Sequence, residues 1–163
     1  MTERFILIVV TRNAPGVLSR VSSLLRRKLF NIDSLTVGRT TNNKESRFTI
    51  VIDGDEAQAN KAALLIDRLI EIRSVKVLKP DQCLRREIVL ARVEITSPEQ
   101  EALLESSHAE IISQLIFKEG DLITLELIDT SQKLDEFLEK LNQADIKIVD
   151  WVRSGVIAMQ NLE

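Results

Sequence analysis

Scarce residues set the first limits on this chain of 163, which has one cysteine, one histidine, one tryptophan, no tyrosine, three prolines and five glycines. A single cysteine, Cys83, cannot close an internal disulfide, and with His108 as the lone histidine a structural zinc site of thiolates and imidazoles is excluded by count. The longest apolar run, residues 5–10, is far too short to span a bilayer, and residues 1–4 lack the basic region and cleavage site of a signal peptide. A cytoplasmic protein with no membrane partner is therefore expected. There is no Gly-x-Gly-x-x-Gly, no P-loop and no Gly-x-Ser-x-Gly. Cys83 and His108 form the one candidate nucleophile and base, but the first falls in an expected linker and the second at the end of an expected helix. The paired carboxylates Asp53 with Asp55, and Asp135 with Glu136, stand at helix starts, where negative charge is favoured anyway. No catalytic residue, no metal ligand and no cofactor site in this chain are expected.

What is present is ordinary for a folded protein: 44% apolar residues and 29% charged. The net charge of -3 hides an asymmetry, because residues 1–80 carry 14 Lys and Arg against 8 Asp and Glu, and residues 81–163 carry 8 against 17. Positive residues in the first half are scattered, aromatics are few and no nucleic-acid motif is found, so no nucleic-acid partner is expected. The charge shift, with Lys79-Pro80-Asp81-Gln82-Cys83 interrupting the periodic pattern, predicts two units over residues 1–79 and 80–163.

Periodicity predicts the same element order in both units. In the first, a strand over 5–11 is apolar on both sides, so that both faces are covered or a partner lies against one. A helix over 16–30 buries Leu18, Val21, Leu25 and Leu29 and turns Arg20, Arg26, Arg27 and Lys28 outward. Strands over 32–37 and 47–53 flank a polar turn, a helix begins after Asp53-Gly54-Asp55, and a strand over 75–78 closes the unit. The second unit reads as strand 86–95, a short helix from Ser97-Pro98, a hairpin of 110–117 with 122–128, a helix after Asp129-Thr130-Ser131 and a strand over 146–152. The fold class is α+β, two ferredoxin-like βαββαβ domains in tandem.

Residues 11–37 carry the chemical information. A strand, a tight turn at Asn13-Ala14-Pro15-Gly16 and a helix starting Val17-Leu18-Ser19-Arg20 place unpartnered amides and the positive end of a helix dipole at the turn. A carboxylate fits there. Asn13 can cap the helix, accept from an ammonium group or donate to a carboxylate, and Gly16 allows close approach to the backbone. An Asn with Pro and Gly before a helix is also an ordinary helix boundary, so both readings fit the residues.

Asn13-Ala14-Pro15-Gly16-Val17-Leu18-Ser19-Arg20-Val21 and Asn31-Ile32-Asp33-Ser34-Leu35-Thr36-Val37 together resemble the N-terminal ACT domain of the regulatory small subunits of acetolactate synthase. Ser46-Arg47-Phe48-Thr49-Ile50 extends the likeness, and Arg86-Glu87-Ile88, Thr130-Ser131-Gln132-Lys133-Leu134-Asp135 and Arg153-Ser154-Gly155-Val156 resemble the C-terminal domain of that family. The resemblance implies a non-catalytic homodimer that activates a large catalytic subunit and makes it sensitive to a branched-chain amino acid, valine foremost. Thiamine diphosphate, magnesium and FAD would then belong to the large subunit. The effector-binding set it implies is Asn13, Ala14, Gly16, Val17, Leu18, Asn31 and Ile32, with Asn31 contributed across the ACT dimer interface. The effector carboxylate would sit on the amides after Asn13, its side chain against Leu18 and Ile32, and its ammonium group on an oxygen of Asn13 or of Asn31 from the other subunit. Two departures stand out: Pro15 removes an N–H from the loop, and Leu29 replaces a glycine usual in the family, so that the helix is expected to end differently. A stand-alone amino-acid sensor and a small enzyme are the alternatives.

Overall fold

A computed structural model describes residues 3–106 and 111–162 and divides the chain into two compact units. The first comprises residues 1–85 together with 156–163, and the second residues 86–155.

In the first unit β1 (Glu3–Arg12), α1 (Val17–Arg27), β2 (Ile32–Arg39), β3 (Glu45–Gly54), α2 (Glu56–Asp67) and β4 (Ile72–Leu78) follow in the expected order. The strands form an antiparallel sheet ordered β2-β3-β1-β4. Alternation sends Phe5, Leu7, Val9, Phe48, Ile50 and Ile52 to one face, where Val17, Val21 and Leu25 of α1 and Ala59, Ala62 and Ile66 of α2 cover them. A reciprocal capping box fixes the start of α2: the Asp55 carboxylate accepts from the Gln58 amide at 2.7 Å, and the Gln58 side-chain oxygen accepts from the Asp55 amide at 3.0 Å.

The opposite face of this sheet explains why β1 is apolar on both sides. Ile6, Ile8 and Val51 pack there with Leu78, Cys83, Val156 and Ala158. The cover has two parts: the 3-10 turn Pro80–Gln82 with the start of β5 (Cys83–Glu94), and a last strand, β9 (Ile157–Gln160), which pairs with β5. The Asn161 amide donates to the Gln82 carbonyl at 3.1 Å, Arg47 donates to the Ala158 carbonyl at 2.6 Å, and Lys76 donates to the Gln160 side chain at 2.8 Å. The compact units therefore do not coincide with the expected 1–79 and 80–163. Residues 80–85 and 156–162 fall in the first unit, where Cys83, Val156 and Ala158 cover the second apolar face of its sheet. Strand β9 was not expected at all, although Val156-Ile157-Ala158-Met159 is an apolar run.

In the second unit, α3 (Pro98–Ser106), β6 (Ile112–Glu119), β7 (Leu122–Asp129), α4 (Ser131–Gln143) and β8 (Lys147–Arg153) follow β5. Here the order β6-β7-β5-β8 repeats the first sheet's topology. Val89, Ala91, Val93, Ile123, Leu125 and Leu127 meet Leu134, Phe137, Leu138 and Leu141 of α4 and Leu104 of α3 in one core. Helix α4 buries Leu134, Phe137, Leu138 and Leu141. Among the described residues no helix is long and apolar enough to cross a membrane. His108 and Ser107, the expected end of the short helix, lie outside the described residues.

Helix α1 does not end differently for want of a glycine. Leu29 itself adopts the left-handed conformation, φ 59°. The Phe30 amide then reaches the Leu25 carbonyl at 3.1 Å, and the Leu29 amide the Arg26 carbonyl at 3.0 Å, the paired bonds of a Schellman motif. Phe30 packs on the core beside Leu25, while the Leu29 side chain is 92% exposed rather than buried.

Candidate functional site

The loop between β1 and α1 is held from both sides. The buried Thr11 hydroxyl donates to the Glu71 carbonyl at 3.0 Å, the Arg12 amide donates to the same carbonyl at 2.8 Å, and the Asn13 amide donates to the Lys44 carbonyl at 2.8 Å. The chain then turns through Ala14 and Pro15 into Gly16, which takes the N-cap position with φ 84°. Only glycine adopts that conformation without strain. A Cβ at Gly16 would meet the Arg20 guanidinium at 3.5 Å, an ordinary contact, so the backbone and not crowding selects glycine.

Asn13 does not cap the helix: Gly16 holds the N-cap position, without a side-chain cap hydrogen bond. The Asn13 side-chain amide instead donates to the Asn43 carbonyl in the β2–β3 turn at 3.4 Å. The first turn contains no acidic residue, and the amides of Leu18 and Ser19 have no acceptor within the helix. Arg20 leans back over this end and pairs with Glu71 at 2.5 Å. The helix dipole leaves the loop positive, which suits a carboxylate, while the Arg20 guanidinium is balanced by Glu71. Arg20 and Glu71 were not among the expected site residues; the four-residue step from Gly16 to Arg20 was the signal available in the sequence.

The expected set divides. Asn13, Ala14, Gly16 and Leu18 line the loop and the first turn, with Leu18 40% exposed. Val17 is 2% exposed and belongs to the core, so its side chain is withdrawn from any ligand. Asn31 is exposed and Ile32 half-buried at the start of β2, at the far end of the sheet. Ile32 stands opposite Ile52, and Ile52 opposite Phe5, whereas Arg39 stands opposite Ser46, and Ser46 opposite Thr11. From Phe5 to Thr11 the strand rises about 20 Å. One chain therefore does not bring Asn31 to the Asn13 loop.

Beside this, β2 is an edge strand with half-exposed Leu35 and exposed Val37 along its inner side. A β-bulge at its start leaves Asp33 out of register, near Arg4 at 3.8 Å. Just after the bulge the Ser34 hydroxyl accepts from the Val156 amide at 2.9 Å.

The motif residues of the second unit meet where the chain enters and leaves it. Glu87 is 4% exposed, with Arg153 at 3.8 Å, an ion pair too long to be a hydrogen bond. The same guanidinium pairs with Asp135 and lies 5.0 Å from the Trp151 ring centroid. The Ser154 hydroxyl accepts from the Ile88 amide at 3.0 Å, and the Ser154 amide donates to the Ile88 carbonyl at 3.0 Å. These contacts clasp the neck of the unit.

Among the described residues no three His, Cys, Asp or Glu side chains are placed to hold a metal ion. Cys83 is buried at the start of β5, not in a linker, and burial pushes its thiol up from the ordinary value, with Arg85 partly opposing and Asp81 reinforcing the shift.

Comparison with known proteins places both halves. Residues 7–74 match the model of the AHAS small subunit-like ACT domain, and residues 86–162 match that of the small subunit of acetolactate synthase. The isozyme 3 small subunit of Salmonella typhimurium acetolactate synthase is 35% identical over 157 residues, covering 96% of this chain and 94% of the relative. A probable acetolactate synthase small subunit of Methanothermobacter thermautotrophicus is 31% identical over 164 residues, covering 96% and 92%. The crystal structure of the acetolactate synthase small subunit of Thermotoga maritima superposes with a TM-score of 0.86, covering 98% of each chain at 24% identity, which establishes the fold. With matched models over both units and relatives along nearly its whole length, the chain belongs to the family of acetolactate synthase small subunits.

Proposed function

We propose that this chain is a non-catalytic regulatory subunit that activates a catalytic acetolactate synthase chain and confers feedback inhibition by a branched-chain amino acid, valine first among the candidates. The observation that carries the reading is the small-subunit family match over both units together, since an ACT domain alone serves many proteins. Thiamine diphosphate, magnesium and FAD belong, on this reading, to the large subunit, and the pair acts in the cytoplasm in branched-chain amino-acid synthesis. The small chain alone makes no acetolactate. It raises the turnover of its partner by binding the competent conformation better than the incompetent one.

The split of the site residues supports a homodimer joined through β2. Two-fold antiparallel pairing of this edge would set Ile32 of one subunit opposite Arg39 of the other, in the ladder row of Ser46 and Thr11. Asn31 would then stand at the same end of the joined sheet as the partner's Asn13 loop. The effector carboxylate lies on the α1 amides near Arg20, its side chain against Leu18 and Ile32, and its ammonium group on an asparagine oxygen from either subunit.

Reconstitution with the large subunit, titrated with valine, leucine and isoleucine, tests the whole reading. The small chain should stimulate acetolactate formation several-fold, and one of the three amino acids should reverse it. Gly16→Asp should abolish inhibition while stimulation persists, because it forces an aspartate into a left-handed conformation and sets a negative charge against the carboxylate. Asn31→Ala should weaken the effector by about 1–3 kcal/mol, the cost of one unpaired buried partner. Variants that lose stimulation and inhibition together would show that the loop is not a separable effector site. Failure to stimulate any acetolactate synthase large subunit, with an amino acid still bound, would favour the stand-alone sensor.

A further inference from the structure

Two sequence motifs remain without a role once the effector loop is assigned: the serine of Asn31-Ile32-Asp33-Ser34 and the segment that follows Arg153-Ser154-Gly155. In the first unit they meet. Gly155, at φ 80°, turns the chain so that the Val156 amide donates to Ser34 Oγ at 2.9 Å. Val156 and Ala158 then seal Ile6, Ile8 and Val51, and the Ala158 carbonyl accepts from Arg47 at 2.6 Å. Ser34 is the first residue back in register after the bulge at Asp33, three positions from Asn31. A bulge re-aims the side chains beside it and is under-determined by the ladder. Here its far side is pinned by a hydrogen bond from Val156, the residue that leads into β9.

We propose that Ser34 is a positioning residue for the effector site: by holding the Val156 amide it fixes the bulge that aims Asn31, and it thereby ties effector binding to the order of β9. This inference rests on the effector reading above and adds to it the element that senses the ligand. Because coupling between two sites is reciprocal, an effector that orders Asn31 must also tighten the Ser34 to Val156 bond, and loosening that bond must weaken the effector. Neither Ser34 nor Val156 would touch the ligand.

The test uses the full-length dimer, with valine, leucine and isoleucine as probes, and two readouts: binding by calorimetry and amide exchange across residues 156–160. In the unsubstituted protein the amino acid that binds should slow exchange of the Val156 amide and its neighbours. Ser34→Ala should weaken that amino acid by about tenfold, the scale of one hydrogen bond, and abolish the slowing, with the dimer intact by sedimentation. Ser34→Thr, which keeps the hydroxyl on a residue suited to a strand, should restore both to within about twofold. A merely structural serine would lower the melting temperature and leave affinity unchanged, and that result overturns the proposal. So does unchanged exchange over 156–160 in the unsubstituted protein on binding, a readout that needs no variant to fold. If none of the three amino acids binds the unsubstituted chain, the effector reading itself fails and takes this role with it.

Discussion

Leu29 shows how one side chain can carry a cost that its neighbours have to cover. A non-glycine residue in the left-handed region costs about 1–2 kcal/mol, and Leu29 recovers nothing by burial, being 92% exposed. What holds it there is the pair of Schellman bonds and the packing of Phe30 beside Leu25. Leu29→Gly should therefore raise the urea midpoint by the equivalent of about 0.5–1 kcal/mol, the relief of strain less the greater freedom of glycine in the unfolded chain. Leu29→Ala, which keeps the strain and removes only exposed atoms, should be neutral; an equal gain from alanine would place the cost elsewhere. Cys83 gives a second test at this scale. Its thiol titrates above the ordinary value of 9.0 because burial disfavours the thiolate. Unfolding then releases a more acidic thiol, so its contribution to stability is intact below that value and is lost as pH rises through it toward the folded value. Cys83→Ala should flatten the stability profile on the alkaline side, and iodoacetamide should modify the folded chain far more slowly than the unfolded one.

At the scale of elements, the sheet of the first unit is the part that sequence periodicity described best and completed least. The apolar run of β1, the alternation of β3 and the three-and-four spacing in α1 were enough to find these elements, because each packs against its own neighbours. The second apolar face of β1 was equally legible, but what covers it was not. Ile6 and Ile8 announce a missing layer without naming residues 156–158, some 150 positions away, as its source. The same limit governs the site. Asn13 and Gly16 were readable as a loop before a helix, while Ser34 and Glu71 take partners distant in sequence. Removing residues 156–163 should cost on the order of 3–5 kcal/mol, by partly uncovering Ile6, Ile8 and Val51 and losing Val156 and Ala158. Binding of an environment-sensitive apolar dye to the truncated chain, against none to the full one, would report it. A fragment of residues 1–79 lacks both parts of the cover and should behave worse than the chain ended at Gly155.

For the whole molecule, the contact division makes the second unit an insertion between β5's first residues and β9. The two crossing points lie side by side within that unit, where the Ser154 amide donates to the Ile88 carbonyl and the Ser154 hydroxyl accepts from the Ile88 amide. Residues 86–155 should accordingly fold when expressed alone, since their ends are already paired and their core is their own. Residues 1–85 joined to 156–163 by a short flexible linker should fold as well, and more stably than residues 1–79. Cooperative urea transitions for both pieces are the expected result; a disordered 86–155 fragment would mean that the clasp at Glu87, Arg153 and Asp135 needs the rest of the chain.

The return of the last strand to the first sheet also fixes an order of events during synthesis. Ile6 and Ile8 leave the ribosome early, and the residues that cover them are made about 150 residues later, a wait of roughly 8 to 30 s at ordinary translation rates. Over that interval the inserted unit, whose residues are complete at 155, is free to fold while the earlier one stands with an apolar face uncovered. Nascent chains stalled with residue 155 just exposed should be cut by protease within 1–85 and spared within 86–155, the reverse of the order in which the two were made.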